Sequence, residues 1–245
     1  SIDDVSITDV SACPNPSDLA VNNVFTTTAD LSWTVGYEET SWNIALQPAG
    51  SGEPTDSGIA VSSTDYAATD LEPNTAYEFY VQANCDEGNS EWIGPMTFST
   101  SCNAFASPFV ETFNSNSDTK ECWIVVNDND DGETWELNVA SLVYEGDQAA
   151  AMFTGTNGLN DDWLISPTIT ITENQRLRYY YRVYDGFFTE DLEVLLSTNG
   201  TGLDQFTTVL YDSDDDSVLI NNEEYKVKII NLPSGITGDV NIAFY

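Results

Sequence analysis

The sequence predicts an all-β chain folded as two β-sandwiches in tandem. Three observations carry that expectation. Apolar and polar residues alternate at period two in run after run, a pattern that buries one face of a strand. Clusters of Gly, Pro, Asn and Asp punctuate these runs at short intervals. No long stretch has helical periodicity, and 245 residues make one large β domain or two of ordinary size.

The first hundred residues hold the clearest strands. Leu31, Trp33 and Val35 alternate in one, Trp42, Ile44 and Leu46 in the next, and Tyr77, Phe79, Val81 and Ala83 in a third. Pro48-Ala-Gly-Ser-Gly52 and Glu72-Pro-Asn74 are turn signals between them. About seven strands in about 100 residues make a sandwich. The run Leu71-Glu-Pro73-Asn-Thr-Ala-Tyr77, with Leu31-Ser-Trp33 before it and Trp92-Ile-Gly-Pro95 after it, resembles a fibronectin type III domain spanning residues 1–100. The resemblance makes Trp33 the core tryptophan and Tyr77 the tyrosine corner. It implies a spacer or presentation module without chemistry of its own.

Residues 101–245 are also strand-like. Leu177, Tyr179, Tyr181 and Val183 alternate, as do Leu192, Val194 and Leu196, and then Tyr225, Val227 and Ile229. An ordered set of motifs runs through this part. It comprises Phe109-Val-Glu111-Thr-Phe113, Cys122-Trp123, Asn127-Asp-Asn-Asp-Asp131-Gly132 with Trp135, Asp161-Asp162-Trp163-Leu-Ile-Ser-Pro167 and Leu177-Arg-Tyr-Tyr-Tyr181. In this order they resemble the MAM-like jelly roll of cleaved adhesins and choice-of-anchor domains in secreted Bacteroidetes proteins. That resemblance implies a Ca²⁺-bound sandwich attached to a larger secreted or surface protein. It also implies one more strand after Asn241-Ile-Ala-Phe-Tyr245, which is either cut away, disordered or supplied from elsewhere; an open sheet edge left there would be a pairing liability. Phe98 and Cys102 leave almost no linker, which predicts little hinge freedom.

Charge narrows the partners. The net charge is −35, and residues 1–100 contain no Lys or Arg. Such a surface repels nucleic acid and anionic lipid, attracts divalent cations and stays soluble in saline surroundings. No apolar run reaches the roughly 18 residues of a membrane span. The four cysteines imply two disulfides and an oxidising, extracellular setting; the alternative is four buried thiols. Four cysteines allow three pairings, and pairing within each domain gives Cys13–Cys85 and Cys102–Cys122.

Catalysis has little support. The chain has no His, which removes the commonest general base and the nucleophile–histidine pairs. Zinc lacks ligands once the cysteines are bonded. No glycine-rich phosphate loop follows a strand. Paired carboxylates are plentiful, but an acid-rich chain supplies them by chance.

Three groups of residues are binding candidates. The loop Asn127, Asp128, Asp130, Asp131 offers oxygen ligands around Gly132, the donor set that Ca²⁺ takes. It departs from an EF-hand, because the twelfth position is Asn138 and the flanks are strands. The jelly-roll resemblance adds Glu111 and Asp161 or Asp162 to the set. Asp212-Ser-Asp-Asp-Asp216 is a second acidic cluster and reads as a solvated turn. The second group is Arg176, Arg178, Tyr180, Arg182 and Tyr184, which share one parity and so one strand face. Lys226 and Lys228 share another. Arg forks take carboxylate or sulfate, and Tyr rings stack on sugar faces. The plainer expectation is that these Arg pair with Asp191 or Glu193. The third group is the loop pair Phe187–Phe188, as contact residues or as a plug of the sandwich end. Trp123, Trp135 and Trp163 read as core.

The expected function is therefore non-catalytic binding within a larger secreted or cell-surface bacterial protein. The ligand expected first is a polysaccharide or surface glycan, with Ca²⁺ as a structural ion. A protein-binding adhesin or a plain stalk is the alternative.

Overall fold

The structure is a computed structural model. It describes residues 13–86, 88–141, 143–153, 161–183, 191–214 and 223–245. The chain divides into two compact units, Ser1–Asn103 and Ala104–Tyr245. Both are built from strands, with two short 3₁₀ turns at Lys120–Cys122 and Leu203–Gln205 as the only helical elements among the described residues.

The first unit contains β1 (Ser17–Asn22), β2 (Ala29–Thr34), β3 (Trp42–Pro48), β4 (Ile59–Val61), β5 (Asp65–Ala68), β6 (Ala76–Cys85), β7 (Gly88–Asn89) and β8 (Ile93–Ser99). One sheet runs β1-β2-β5. The other runs β4-β3-β6-β7, with β8 also on β6. The period-two residues of β2, β3 and β6 meet between the sheets: Leu31, Ile44, Phe79, Val81 and Ala83 have no exposed surface. Each large side chain among them contributes about 1.5–3 kcal/mol through burial. Trp33 and Trp42 pack edge to face, with centroids 6.0 Å apart, inside that core. Val35 falls outside the expected pattern, because β2 ends at Thr34 and Val35 is exposed. Tyr77 stacks on Phe98, and its hydroxyl accepts the Glu72 amide proton at 3.0 Å. The phenol thus ties the turn before β6 to the strand itself.

The turn after β3 is held from within. Glu78 is nearly fully buried, and its carboxylate accepts bonds from Gln47 Nε2 (2.9 Å), Gly50 N (2.9 Å) and Gly52 N (3.0 Å). Gly50 and Gly52 have φ of 85° and 84°, values that L side chains rarely adopt, and this conformation turns both amides onto the carboxylate. A Cys13–Cys85 disulfide closes the unit over a separation of 72 residues. Cys102 and Cys122 are disulfide-bonded as well, and no free thiol remains.

The second unit contains β9 (Phe105–Ala106), β10 (Ile124–Asn127), β11 (Trp135–Val139), β12 (Ala149–Met152), β13 (Asp162–Ile165), β14 (Ile169–Ile171), β15 (Arg176–Tyr181), β16 (Glu193–Ser197), β17 (Thr208–Asp212), β18 (Lys226–Asn231) and β19 (Gly238–Phe244). β19 lies in the middle of a seven-stranded sheet. β13 and β14 pair along one side of it and β16 along the other, with β10, β9 and β17 outside them. β15–β18 and β11–β12 form separate two-stranded sheets. Leu177, Tyr179, Tyr181 and Ile230 pack onto Val194, Leu196, Val240 and Ile242, which makes the core of this sandwich. The other face of the large sheet buries Ile165, Leu195 and Ala243 under Phe206, Leu203 and Trp163.

Among the described residues no open edge falls at Tyr245. Tyr245 exchanges both backbone bonds with Glu193, N to O at 3.0 Å and O from N at 2.8 Å, and β19 is paired on both sides.

Candidate functional site

Register decides what the second sandwich shows to solvent. β15 and β18 are antiparallel, with Tyr179 opposite Lys228, Arg178 opposite Ile229 and Tyr180 opposite Val227. Directly opposed residues lie on the same face. Leu177, Tyr179 and Tyr181 turn inward, so Lys228 must lie inward with them. Its ammonium sits 3.6 Å from the centre of the Tyr211 ring. Val227 and Ile229 are driven outward, where they are 50% and 51% exposed. The alternation Tyr225, Val227, Ile229 thus marks the solvent side of β18, opposite to what an apolar stripe predicts. Period two identifies the two faces of a strand but not which one is buried. It also separates Lys226 and Lys228 from the arginines, which face the other way.

The outward face is built around tyrosines. Tyr144, in the loop before β12, stacks on Tyr180 with centroids 3.9 Å apart and planes 15° apart, and meets Tyr225 edge-on at 5.3 Å. The Arg178 guanidinium lies 5.6 Å from the Tyr180 ring centre and that of Arg182 lies 5.8 Å from the Tyr225 ring centre. The result is one continuous row: Arg178, Tyr180, Tyr144, Tyr225, Arg182. Hydrogen bonding to the Tyr180 hydroxyl, and then burial, hold the Tyr144 phenol above its ordinary pKa. Val227 and Ile229 extend the row as an apolar apron. The sequence reading missed Tyr144, because its contact with Tyr180 spans 36 residues and nothing local announces it. Tyr184, Phe187 and Phe188 lie outside the described residues, as do Asp215 and Asp216 of the second acidic cluster. Among the described residues no carboxylate pairs with Arg176, Arg178 or Arg182, in contrast to the expected pairing with Asp191 or Glu193.

The acidic loop has a different character. β10 and β13 set Asn127 directly opposite Asp162. Asp162 is only 3% exposed, and neither carboxylate oxygen makes a hydrogen bond; Asn127 Oδ1 and Thr134 Oγ1 are likewise buried and unbonded. Burial first of all, and then the charges of Asp131 and Asp161, raise the Asp162 carboxyl above its usual range; the Thr134 hydroxyl and the Asp161 amide pull the other way as nearby dipoles, but neither reaches hydrogen-bonding geometry with it. Buried anionic and carbonyl oxygens left without donors are what a hard cation satisfies. Trp135 braces the place by donating its indole proton to the Asp162 carbonyl at 3.3 Å. Asp130 and Gly132 turn the loop through φ of 54° and 89°. Asp128 bonds its amide to the Asp161 carbonyl and leaves its side chain exposed.

Glu111 belongs to another arrangement. Its carboxylate accepts bonds from Thr112 N (2.7 Å), Phe113 N (2.6 Å), Ser117 Oγ (2.8 Å) and Thr119 Oγ1 (2.7 Å), so its lone pairs are spent on the 112–119 turn. Among the described residues no three His, Cys, Asp or Glu converge as a metal cage; the oxygens at Asp162 are of mixed kinds. Trp123 and Trp163 are half-buried and pack against Phe113, Phe244, Phe206 and Tyr245.

The chain is thus a tandem of β-sandwiches whose second member turns an aromatic and basic face to solvent. A family model for the cleaved adhesin domain matches residues 107–235, just over half of the chain, and one for the fibronectin type III domain matches residues 14–99. The chain belongs to the cleaved adhesin domain family, with a fibronectin type III domain ahead of the adhesin domain. Domains of these two kinds are typically non-catalytic. Hemagglutinin A of Porphyromonas gingivalis (strain ATCC BAA-308 / W83) is 28% identical over 166 residues, which are 64% of this chain and 8% of that protein. A second Hemagglutinin A of Porphyromonas gingivalis matches at 28% over 6% of its length. The chain therefore spans less than a tenth of the length of these relatives. Among solved structures, the fibronectin type III domain of human collagen alpha-1(XX) is 24% identical and covers 42% of this chain and 100% of its own, with a TM-score of 0.35. The FN5 domain of Drosophila Lar is 22% identical over 36% of this chain and 96% of its own, with a TM-score of 0.30.

Proposed function

We propose that the adhesin domain binds glycan through the outward face of β15–β18, and that the fibronectin type III domain serves as its spacer in a larger secreted or surface-displayed protein. One observation carries this reading: a row of three tyrosines flanked by two arginines, turned to solvent on a sheet whose other face is core. Aromatic rings offer sugars a flat apolar surface, and guanidinium forks fix the orientation of oxygen acceptors. Asp162, Asn127 and Thr134, with Asp131 beside them, fit a structural Ca²⁺. Such an ion supplies positive charge to oxygens that burial leaves uncompensated and stiffens the start of β13. Haemagglutination, which the relative's name states, fits a module that binds cell surfaces. A glycan array on the calcium-loaded chain, repeated with Arg178→Ala/Tyr180→Ala, tests the reading. Binding to one glycan class that the double variant loses supports it; unchanged binding in the variant removes this face as the site.

Half-exposed Val227 and Ile229 favour a second reading, a protein partner. In that case the array stays blank, and Val227→Ser/Ile229→Ser abolishes adhesion to protein-coated surfaces.

A further inference from the structure

Three of the six basic residues, Arg176, Arg178 and Arg182, stand on the outward parity of β15 and its extension in a chain of net charge −35. The chain has 41 carboxylate side chains with which to pair them. Yet among the described residues the partners of Arg178 and Arg182 are tyrosine rings and the Val183 carbonyl, which takes the Arg182 Nε proton at 3.3 Å. A guanidinium carries five donors in a planar fork. Arg178, on the exposed side of the strand, keeps that fork open for a bidentate acceptor. The exposed Tyr144 ring is within its electrostatic reach, since Arg178 is among the charges acting on that phenol.

Resting on the glycan reading above, we propose that the ligand is a glycan whose terminal sugar bears one carboxylate. The Arg178 fork takes the acid group and the sugar ring lies on Tyr144. A single acid is specified because the rest of the molecule is strongly anionic. A polyanion is repelled along its whole length by a field that extends over the surface. One carboxylate at the fork gains a charge-assisted pair inside the roughly 8–10 Å over which charges act in physiological salt.

The full calcium-loaded chain would be titrated with sialyllactose, sialyllactose methyl ester, lactose, heparin and a polyglutamate peptide. Sialyllactose should bind about tenfold or more tightly than its ester or lactose, the range expected for hydrogen bonds to a charged group. Heparin and polyglutamate should not compete. Arg178→Gln should bring sialyllactose down to the level of lactose. Arg178→Lys, which keeps the charge and loses the fork, should lose most of the preference. Lys228→Met, on the opposite face, should change nothing, and melting curves verify that each variant is folded. Equal binding of acid, ester and lactose overturns the acidic-sugar proposal and leaves glycan binding intact. Preferential heparin binding overturns the single-carboxylate assignment. Polyglutamate binding with no sugar binding, or no binding to any sugar on a broad array, overturns both readings.

Discussion

In calcium-free buffer, Asp162→Asn should raise the melting temperature of the adhesin domain, and in calcium it should lower it relative to the parent. Asp162 is almost fully buried, makes no hydrogen bond through either oxygen, and lies near two further acids. An uncompensated buried polar group costs about 1–3 kcal/mol, and more when charged. Asparagine has the same shape without the charge, though its amide must still be satisfied, so a net gain of about 1–2 kcal/mol is expected in the metal-free variant. For a domain of this size that is roughly 3–6 °C. Calcium at about a hundred times its dissociation constant stabilises the parent by about 2.7 kcal/mol, or roughly 5–10 °C, and leaves the variant near its metal-free value. Calorimetry with and without chelator reads both shifts. The Trp135 indole bonds the Asp162 carbonyl, so its fluorescence reports the same site. Equal calcium shifts in parent and variant, or none in the parent, would refute the cation site. A metal-free variant that melts well below the parent would show that Asp162 is stabilised by something other than a cation.

Three further outcomes are expected. Cys13→Ser/Cys85→Ser opens a loop of 72 residues, and the first domain should lose about 4 kcal/mol, read by urea denaturation. The bonds from Gln47 and then from the Gly50 amide depress the Glu78 carboxyl below its ordinary 4.5. Its contribution is therefore present above that value and lost as pH falls through the lower folded value. Melting of the first domain should drop as pH is taken below about 4.5, and Glu78→Gln should flatten that slope; a parent and variant with parallel pH profiles would count against the linkage. Val227→Thr/Ile229→Thr should change stability by less than about 0.5 kcal/mol, whereas Ile230→Thr, which packs into the core, should cost more than about 1 kcal/mol by chemical denaturation.

The first sandwich was legible because its signals are local. Leu71 to Tyr77 sets a turn and its tether within seven residues, and Trp33 announces a buried strand by its alternation. In the second sandwich, alternation gave the strands and the shared face of Arg178 and Tyr180. It could not give the orientation of β18, because that depends on which residue of β15 lies opposite Lys228. Nor could it give Tyr144, whose partner comes from a distant strand. The acidic loop showed its oxygen donors in the sequence, but only the β10–β13 register reveals that Asn127 and Asp162 face one another. Glu111 entered the ligand set through the family resemblance alone, and Ser117 and Thr119, a few residues on, bond its carboxylate.

The position of β19 has a consequence for how the adhesin domain is made. Every other strand of the large sheet precedes it in sequence, yet β13, β14 and β16 all hydrogen-bond to it and to no member of one another. A nascent chain that has not yet delivered residues 238–244 holds β10–β13, β9–β14 and β16–β17 as unjoined pieces with raw edges. Joining of these pieces into one sheet must therefore wait for β19.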